Sequence, residues 1–209
     1  MCGRYYIDPD TDVEPLRDII ADMNRRGGVH ASGEIFPSQT APVIAAGRTL
    51  QAGVFPMRWG YRLKSGSLVI NARSETAAAK PLFRDGWQNR RCAVPASWYI
   101  EWERHDTAKA RYRIRQSGAS SLFLAGLYRL EEGVPVFTVL TRTPADSIAF
   151  IHDRMPVILP DGLVRDWIQP RFRADELLPH AVTDVAWERE GPAAEQLRMD
   201  GFPPLHPTA

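Results

Sequence analysis

Cysteine and lysine are scarce in this 209-residue sequence, and long apolar runs are missing. The two cysteines, Cys2 and Cys92, are too few for a disulfide framework, and no cluster of cysteine and histidine forms a zinc motif. No apolar run approaches the ~20 residues that a membrane span needs. The start Met-Cys-Gly-Arg-Tyr-Tyr lacks the apolar stretch of a secretory signal. We therefore expect a cytoplasmic protein with no membrane, metal or cofactor.

A strong net charge of either sign is also missing. The 26 basic and 25 acidic side chains leave a formal net charge of +1, so the whole molecule does not strongly attract a polyanion. Only Lys64, Lys80 and Lys109 are lysines, and the other basic residues are arginines, which suit bidentate phosphate contacts. Any nucleic-acid site must therefore be a local patch.

The length and the apolar pattern predict the fold class. We expect one domain over residues 1–209, with a core of about 1–185 and a C-terminal tail of about 186–209. Helical spacing occurs at 13–23, 80–89, 144–151 and 160–168. Short apolar runs predict strands at 41–46, 50–55, 68–70, 91–102, 110–115, 121–129 and 134–141. Many short strands with few helices indicate an α+β fold whose largely antiparallel sheet curls into a barrel-like core with flanking helices.

Cys2 is a candidate nucleophile, because removal of Met1 would make it the N-terminal residue. Its α-amine and thiol have reference pKa values near ~7.8 and ~8.5, so we expect both to be partly available at neutral pH. Toward an aldehyde, the amine forms an imine and the thiol adds to the same carbon, closing a five-membered ring. The same pair suits an amidohydrolase. A third interpretation, that Cys2 merely follows the start codon, also stays open.

Three polar residues later in the chain are also candidate site residues. Asn71 follows an apolar strand, Glu101 lies within an aromatic strand, and His152 ends a predicted helix. Each also has a structural interpretation, since Asn71 suits a turn, Glu101 a solvent-facing strand position and His152 a helix C-terminus. Desolvation among aromatic neighbours would raise the pKa of Glu101 and suit it for proton transfer. Cys92 is expected to be a core thiol without a role.

Four strings along the chain together resemble the SRAP family, the SOS-response-associated peptidase or abasic-site-processing proteins. No single string is specific enough, and their order and spacing over roughly residues 1–160 carry the resemblance. The strings are Met-Cys-Gly-Arg at the start, Ile70-Asn71-Ala72-Arg73 with Glu75-Thr76, the strand from Cys92 to Pro95 leading to Glu101-Trp102, and Ile151-His152-Asp153-Arg154-Met155-Pro156.

The resemblance implies an abasic-site sensor in which Cys2 forms a thiazolidine crosslink with the ring-opened sugar aldehyde. By position, Asn71 would orient the Cys2 terminus, Glu101 would give and accept protons, and His152 would transfer a proton near the aldehyde. The implied partner is single-stranded DNA containing an abasic site, bound by a monomer that associates with the nucleoid at damage. A thiol (auto)peptidase or amidohydrolase using Cys2, an AP-lyase activity and a non-covalent single-strand-binding module remain alternatives.

Further positions correspond to DNA contacts of the family. The implied contacts are Arg4, Arg73 and Arg154 at phosphates, Trp59 against a base and Thr141 lining the site. The chain departs from the family in the loop after Trp59-Gly60, in the segment after Val185, and before Pro37, where the family usually has a Tyr-Asn pair. This chain has Glu34-Ile35-Phe36 there, and a carboxylate facing the DNA channel would repel a phosphate.

Overall fold

A computed structural model describes residues 2–10, 14–26, 29–104 and 110–190. Its helices are α1 (Glu14–Arg26), α2 (Ser74–Ala77), α3 (Pro81–Asn89), α4 (Val164–Trp167) and α5 (Ala174–Leu177). Its strands are β1 (Arg4–Ile7), β2 (Gly33–Ile35), β3 (Thr40–Ala46), β4 (Ala52–Trp59), β5 (Tyr61–Arg62), β6 (Leu68–Val69), β7 (Asn71–Arg73), β8 (Arg91–Ala96), β9 (Trp98–Trp102), β10 (Arg111–Gln116), β11 (Leu122–Glu131), β12 (Val134–Arg142), β13 (Met155–Pro156), β14 (Ile158–Leu159) and β15 (Val185–Glu190).

Five of the strands close into a barrel. Around the wall, β12 pairs with β4, β4 with β3, β3 with β8, β8 with β11, and β11 pairs again with β12. Four of these pairings are antiparallel and the β12–β4 pairing is parallel. The short strand β7 also runs parallel to β12. The predicted curled, largely antiparallel core with flanking helices is therefore confirmed, with a parallel pairing where the barrel closes.

A second, fully antiparallel sheet has the strand order β15-β10-β9-β1-β2. The pairing of β1 with β9 sets Arg4 opposite Ile100, so the start of the chain lies beside β9. The first residues of the predicted C-terminal tail, up to Glu190, are paired in strand β15. Val185 is buried and is followed by residues of mixed exposure, as in a half-buried edge strand. The rest of the predicted tail lies outside the described residues.

The barrel wall separates two apolar clusters. Every residue of β8 is buried, because Cys92 and Val94 pack into one cluster while Ala93 packs into the other. A strand covered on both faces is expected to read as a continuous apolar run, as β8 does. Cys92 is a buried free thiol, so the expectation of a core thiol is confirmed.

The helical predictions succeeded in part. Segments 13–23 and 80–89 become α1 and α3, and 160–168 becomes a 3₁₀ turn followed by α4. The helix predicted over 144–151 is wrong, because only Asp146–Ile148 forms a 3₁₀ turn. Ile148 and Ile151 are buried while Phe150 is 44% exposed, and this spacing of three suits a 3₁₀ turn. No helix in the described ranges is long and apolar enough to cross a membrane.

Candidate functional site

Cys2 lies in the core two residues before the start of β1, with no exposed surface. Asn71 Nδ2 donates a hydrogen bond of 2.8 Å to the Cys2 carbonyl oxygen. Asn71 reaches this position because β7 lies against β12 in the barrel wall, where Asn71 is opposite Val139. Asn71 therefore fixes the Cys2 backbone, and its Oδ1 is buried with no hydrogen-bond partner among the described residues.

The Cys2 thiol is held in its protonated form. Burial raises its pKa well above the usual range, and the negative charge of Glu101 adds to the effect. The thiol donates to the Arg4 carbonyl oxygen, with 3.6 Å between sulfur and oxygen. The expectation of a partly available thiolate at neutral pH is therefore wrong for this state, because burial disfavours the charged form.

Glu101 faces the interior from β9 and is only 5% exposed. The solvent-facing interpretation of this residue is thus wrong. Burial raises the pKa of its carboxyl above the usual value, so the predicted rise is confirmed. The proximity of Glu101 to Cys2 follows from the β1–β9 pairing, which sets Arg4 opposite Ile100. A carboxyl with a raised pKa can hold a proton close to the thiol.

His152 lies beyond the 3₁₀ turn and is 8% exposed. The Arg104 peptide N–H donates to the Ile151 carbonyl at 3.2 Å, which ties this segment to the end of β9. Two contacts on His152 Nδ1 make opposite demands. The Arg154 peptide N–H donates to it at 3.0 Å and needs an unprotonated nitrogen, whereas Asp153 Oδ1 at 2.7 Å favours a proton.

Of these two opposing contacts, the one that favours the neutral imidazole of His152 has the greater effect. Burial, helped by the Arg104 cation, lowers the pKa of His152 to about 4. Asp153 has the weaker influence because it is 57% exposed and already paired with Arg104 Nη1 at 2.7 Å. A neutral imidazole at pH 7 is able to accept a proton during a reaction.

The lowered pKa of His152 predicts a pH-dependent stability. The unfolded chain has a His pKa of about 6.5, so the contribution is complete above that pH and is lost as the pH falls toward about 4. In urea titrations, we expect the unfolding free energy of the wild type to fall more steeply between pH 6.5 and 4 than that of His152→Gln. Parallel curves for the two proteins would contradict a lowered pKa.

The three arginines predicted at phosphates differ in availability. Arg73 is exposed, and its guanidinium makes no ion pair within the described part of the chain. Arg4 Nη1 pairs with Glu34 Oε1 at 3.0 Å. Arg154 is held by both oxygens of Glu75 at 2.7 and 2.8 Å and by the Thr141 carbonyl at 2.6 Å. Arg73 is thus the one of these three that is ready for a phosphate without breaking an ion pair.

Trp59 does not fit its predicted contact with a base. It is fully buried, with Tyr5 and Phe137 against its ring at centroid distances of 5.3 and 6.0 Å. Its indole N–H donates to the Ile70 carbonyl at 3.0 Å. Trp59, at the end of β4, is therefore a residue of the hydrophobic core. Thr141 is 1% exposed and contacts Arg154, so it lies behind the surface.

Several residues near the site were not singled out from the sequence. Tyr5 and Tyr99 lie opposite each other on β1 and β9, and their buried hydroxyls have no hydrogen-bond partner among the described residues. Arg111 lies opposite Trp102. Alternation of arginine with apolar residues over 111–115, at the period of two of a strand, was the available signal for Arg111. Nothing local marked the two tyrosines.

In the described ranges, no group of three or more His, Cys, Asp or Glu residues is arranged so that it could hold a metal ion. The site described above therefore consists of a buried thiol, a buried carboxyl, a neutral imidazole and an amide that binds the N-terminal backbone.

Comparison with known proteins places this chain in a family. The family model described as SOS response associated peptidase (SRAP) matches residues 1–190. Abasic site processing protein YoqW of Bacillus subtilis is 35% identical over 189 residues, covering 82% of this chain and 81% of that protein. YobE of the same organism, also named an abasic site processing protein, is 33% identical over 208 residues, covering 88% and 92%.

The fold agrees with a solved structure. A phage-related protein from Bordetella bronchiseptica superposes with a TM-score of 0.71 at 26% identity, covering 90% of this chain and 94% of that one. The match of the family model extends across both sheets and all the candidate site residues. The chain therefore belongs to the SRAP family.

Proposed function

We propose that this chain senses abasic sites in single-stranded DNA and, after removal of Met1, forms a thiazolidine crosslink through Cys2. The observation that carries the proposal is the enclosure of Cys2, whose backbone is bound by Asn71 close to the buried carboxyl of Glu101. The names of the YoqW and YobE relatives as abasic site processing proteins support the same function.

The crosslink forms in two steps. The free α-amine of Cys2 adds to the sugar aldehyde carbon, and the resulting carbinolamine loses water to give an imine. The thiol then adds across the imine, forming a carbon–sulfur bond while its proton ends on the nitrogen. Because both nucleophiles belong to one residue, the second attack is intramolecular. The product has the summed mass of protein and DNA minus one water.

The proton transfers match the two titratable neighbours of the site. Glu101, whose pKa is raised, protonates the hydroxyl that leaves as water. His152 is neutral at pH 7 and is the candidate acceptor of the proton that the ammonium loses, although its pKa of about 4 makes it a weaker base than an ordinary imidazole. The raised pKa of Cys2 fits an order in which the amine reacts first, because the thiol becomes a nucleophile only when a base accepts its proton.

Arg73 is the first phosphate contact in this proposal. Its exposed guanidinium follows Asn71 by two residues on β7, so a phosphate bound there lies close to the Cys2 backbone. Contacts of this kind add sequence-independent affinity that falls as salt rises. The function needs a lesion to be recognised rather than a base sequence.

The experiment mixes the Met1-processed protein with a single-stranded oligonucleotide carrying one abasic site. We expect an adduct that survives a denaturing gel and has the protein-plus-DNA mass minus one water. The same strand without the lesion is the first control, and protein that retains Met1 is the second, because its α-amine is blocked. Processed, folded protein that binds the abasic strand without any covalent adduct would overturn the proposal.

A second activity, removal of Met1 by the chain itself, draws support from the same geometry. The Cys2 thiol would attack the Met1 carbonyl carbon, breaking the Met1–Cys2 amide and forming a thioester that water hydrolyses. Glu101 lies near enough to affect the thiol electrostatically and is the candidate base. In a cell-free translation lacking methionine aminopeptidase, Met1 should be lost from the wild type and retained in Cys2→Ala.

A further inference from the structure

Glu34 bridges two arginines on the outer face of the second sheet. Its Oε1 lies 3.0 Å from Arg4 Nη1 and its Oε2 lies 2.8 Å from Arg111 Nη2. Arg111 also pairs through Nε with Glu190 at 2.8 Å. The strand pairings bring these groups together, because β2 pairs with β1 while β10 pairs with β9.

An aromatic surface lies between the two arginines. The Arg4 guanidinium lies over the rings of Phe36 at 4.6 Å and Trp102 at 4.8 Å, and Arg111 lies over Trp102 at 5.8 Å. Arginine cations beside an aromatic face are the combination that binds single-stranded nucleic acid, with phosphates on the cations and bases against the ring. Arg4 follows Cys2 by two residues, so one of the two arginines belongs to the same chain segment as the reactive residue.

We propose that Arg4, Arg111 and Trp102 form a subsite for a phosphate and an adjoining base of single-stranded DNA, and that Glu34 occupies its phosphate position in the free protein. A carboxylate and a phosphate offer a guanidinium the same fork of two oxygens. Glu34 is therefore an intramolecular competitor that DNA must displace, and it lowers the affinity for any single strand. This inference rests on the proposed function. It adds Arg111 to the phosphate contact that the resemblance implies for Arg4.

The exposure of these side chains makes displacement feasible. Arg4, Arg111 and Glu34 are 37%, 31% and 23% exposed, and ion pairs this close to solvent contribute little stability. A competing carboxylate weakens binding to every strand alike, whether damaged or intact. Retention then depends on the covalent step at Cys2, so intact strands leave and abasic strands stay.

The test measures affinity for an undamaged, fluorescently labelled single strand by anisotropy at several salt concentrations. Glu34→Gln should bind about three- to tenfold more tightly at low salt and lose affinity more steeply as salt rises. Glu188→Gln is the matched control, because Glu188 lies on the same sheet face and pairs with Arg115 at 3.1 Å away from the subsite. We expect its affinity to stay within about twofold of the wild type.

Arg111→Gln separates a subsite from a general charge effect. It should weaken binding and remove most of the gain that Glu34→Gln brings in the double variant. Equal affinities for Glu34→Gln and Glu188→Gln, or a gain that survives Arg111→Gln, would overturn the inference. Thermal melting confirms that each variant is folded. Because the strand here carries no lesion, the result is independent of the abasic-site experiment that tests the proposed function.

Discussion

Replacing Cys2 by alanine is expected to abolish the stable adduct with an abasic strand, and replacing it by serine to leave only a reducible imine. Both variants keep an α-amine once Met1 is removed, so both can add to the aldehyde. Neither has sulfur to close the thiazolidine ring. Because an imine hydrolyses readily, only the wild type should give an adduct that lasts without a reductant.

Borohydride makes this distinction measurable. With the reductant present, we expect all three proteins to show a trapped adduct on a denaturing gel. Without it, only the wild type should show one, at least a hundredfold above the variants if proximity drives ring closure as in other intramolecular reactions, where effects of about 10⁵ M or more occur.

Cys92→Ala is the matched control for the loss of a thiol. Cys92 is equally buried and is also a free thiol, but it packs in the core of the barrel wall. Its loss should lower stability modestly and leave the adduct yield unchanged. A Cys2→Ala protein that forms as much unreduced adduct as the wild type would place the reactive group elsewhere in the chain.

Strands were predictable where one local pattern determined them. The predicted runs at 41–46, 121–129 and 134–141 agree with β3, β11 and β12 to within two residues, because apolar β-rich runs bounded by turn residues carry that signal. Strands β1 and β2 are short and polar on their outer face, so their pairing partners rather than their own residues stabilise them. Barrel closure through the parallel β12–β4 pairing also depends on contacts distant in sequence.

The candidate site was predictable as a set of residue types but not as an electrostatic state. The raised pKa of Glu101 followed from its aromatic neighbours in sequence. The complete burial of Cys2 did not, because it depends on the barrel and the second sheet enclosing the start of the chain. The ion pairs of Arg4 with Glu34 and of Arg154 with Glu75 join positions 30 and 79 residues apart, which no local pattern reveals.

Arg91→Met is expected to cause the largest loss of stability among the substitutions considered. Arg91 is 3% exposed at the start of β8, and its guanidinium binds main-chain carbonyls at the ends of two helices and the loop beyond them. The accepting carbonyls are those of Trp87 at 2.8 Å, Gln88 at 3.5 Å, Trp167 at 2.6 Å, Phe172 at 2.7 Å, and Gln169.

The last carbonyls of a helix lack partners within the helix, so Arg91 supplies hydrogen bonds that α3 and α4 cannot make themselves. Methionine keeps the apolar stem and removes every donor. Each buried acceptor left without a hydrogen bond costs up to about 1–3 kcal/mol. Because the surrounding chain relaxes in part, we expect the free energy of unfolding to fall by about 4 kcal/mol in total. In urea unfolding this corresponds to a midpoint lowered by about 1.5–2 M.

The neighbouring residue offers a control for the loss of a positive charge. Arg90 Nε pairs with Asp85 Oδ2 at 3.1 Å, but the two side chains are 38% and 63% exposed. Arg90→Met should therefore cost less than about 1 kcal/mol. Arg91→Lys should fall between the two, because an ammonium keeps the charge but lacks the planar fork of donors with which the guanidinium binds carbonyls of both helices. Equal midpoints for Arg91→Met and Arg90→Met would mean that the buried carbonyls find water or other donors, and that packing alone joins α3 and α4 to the barrel.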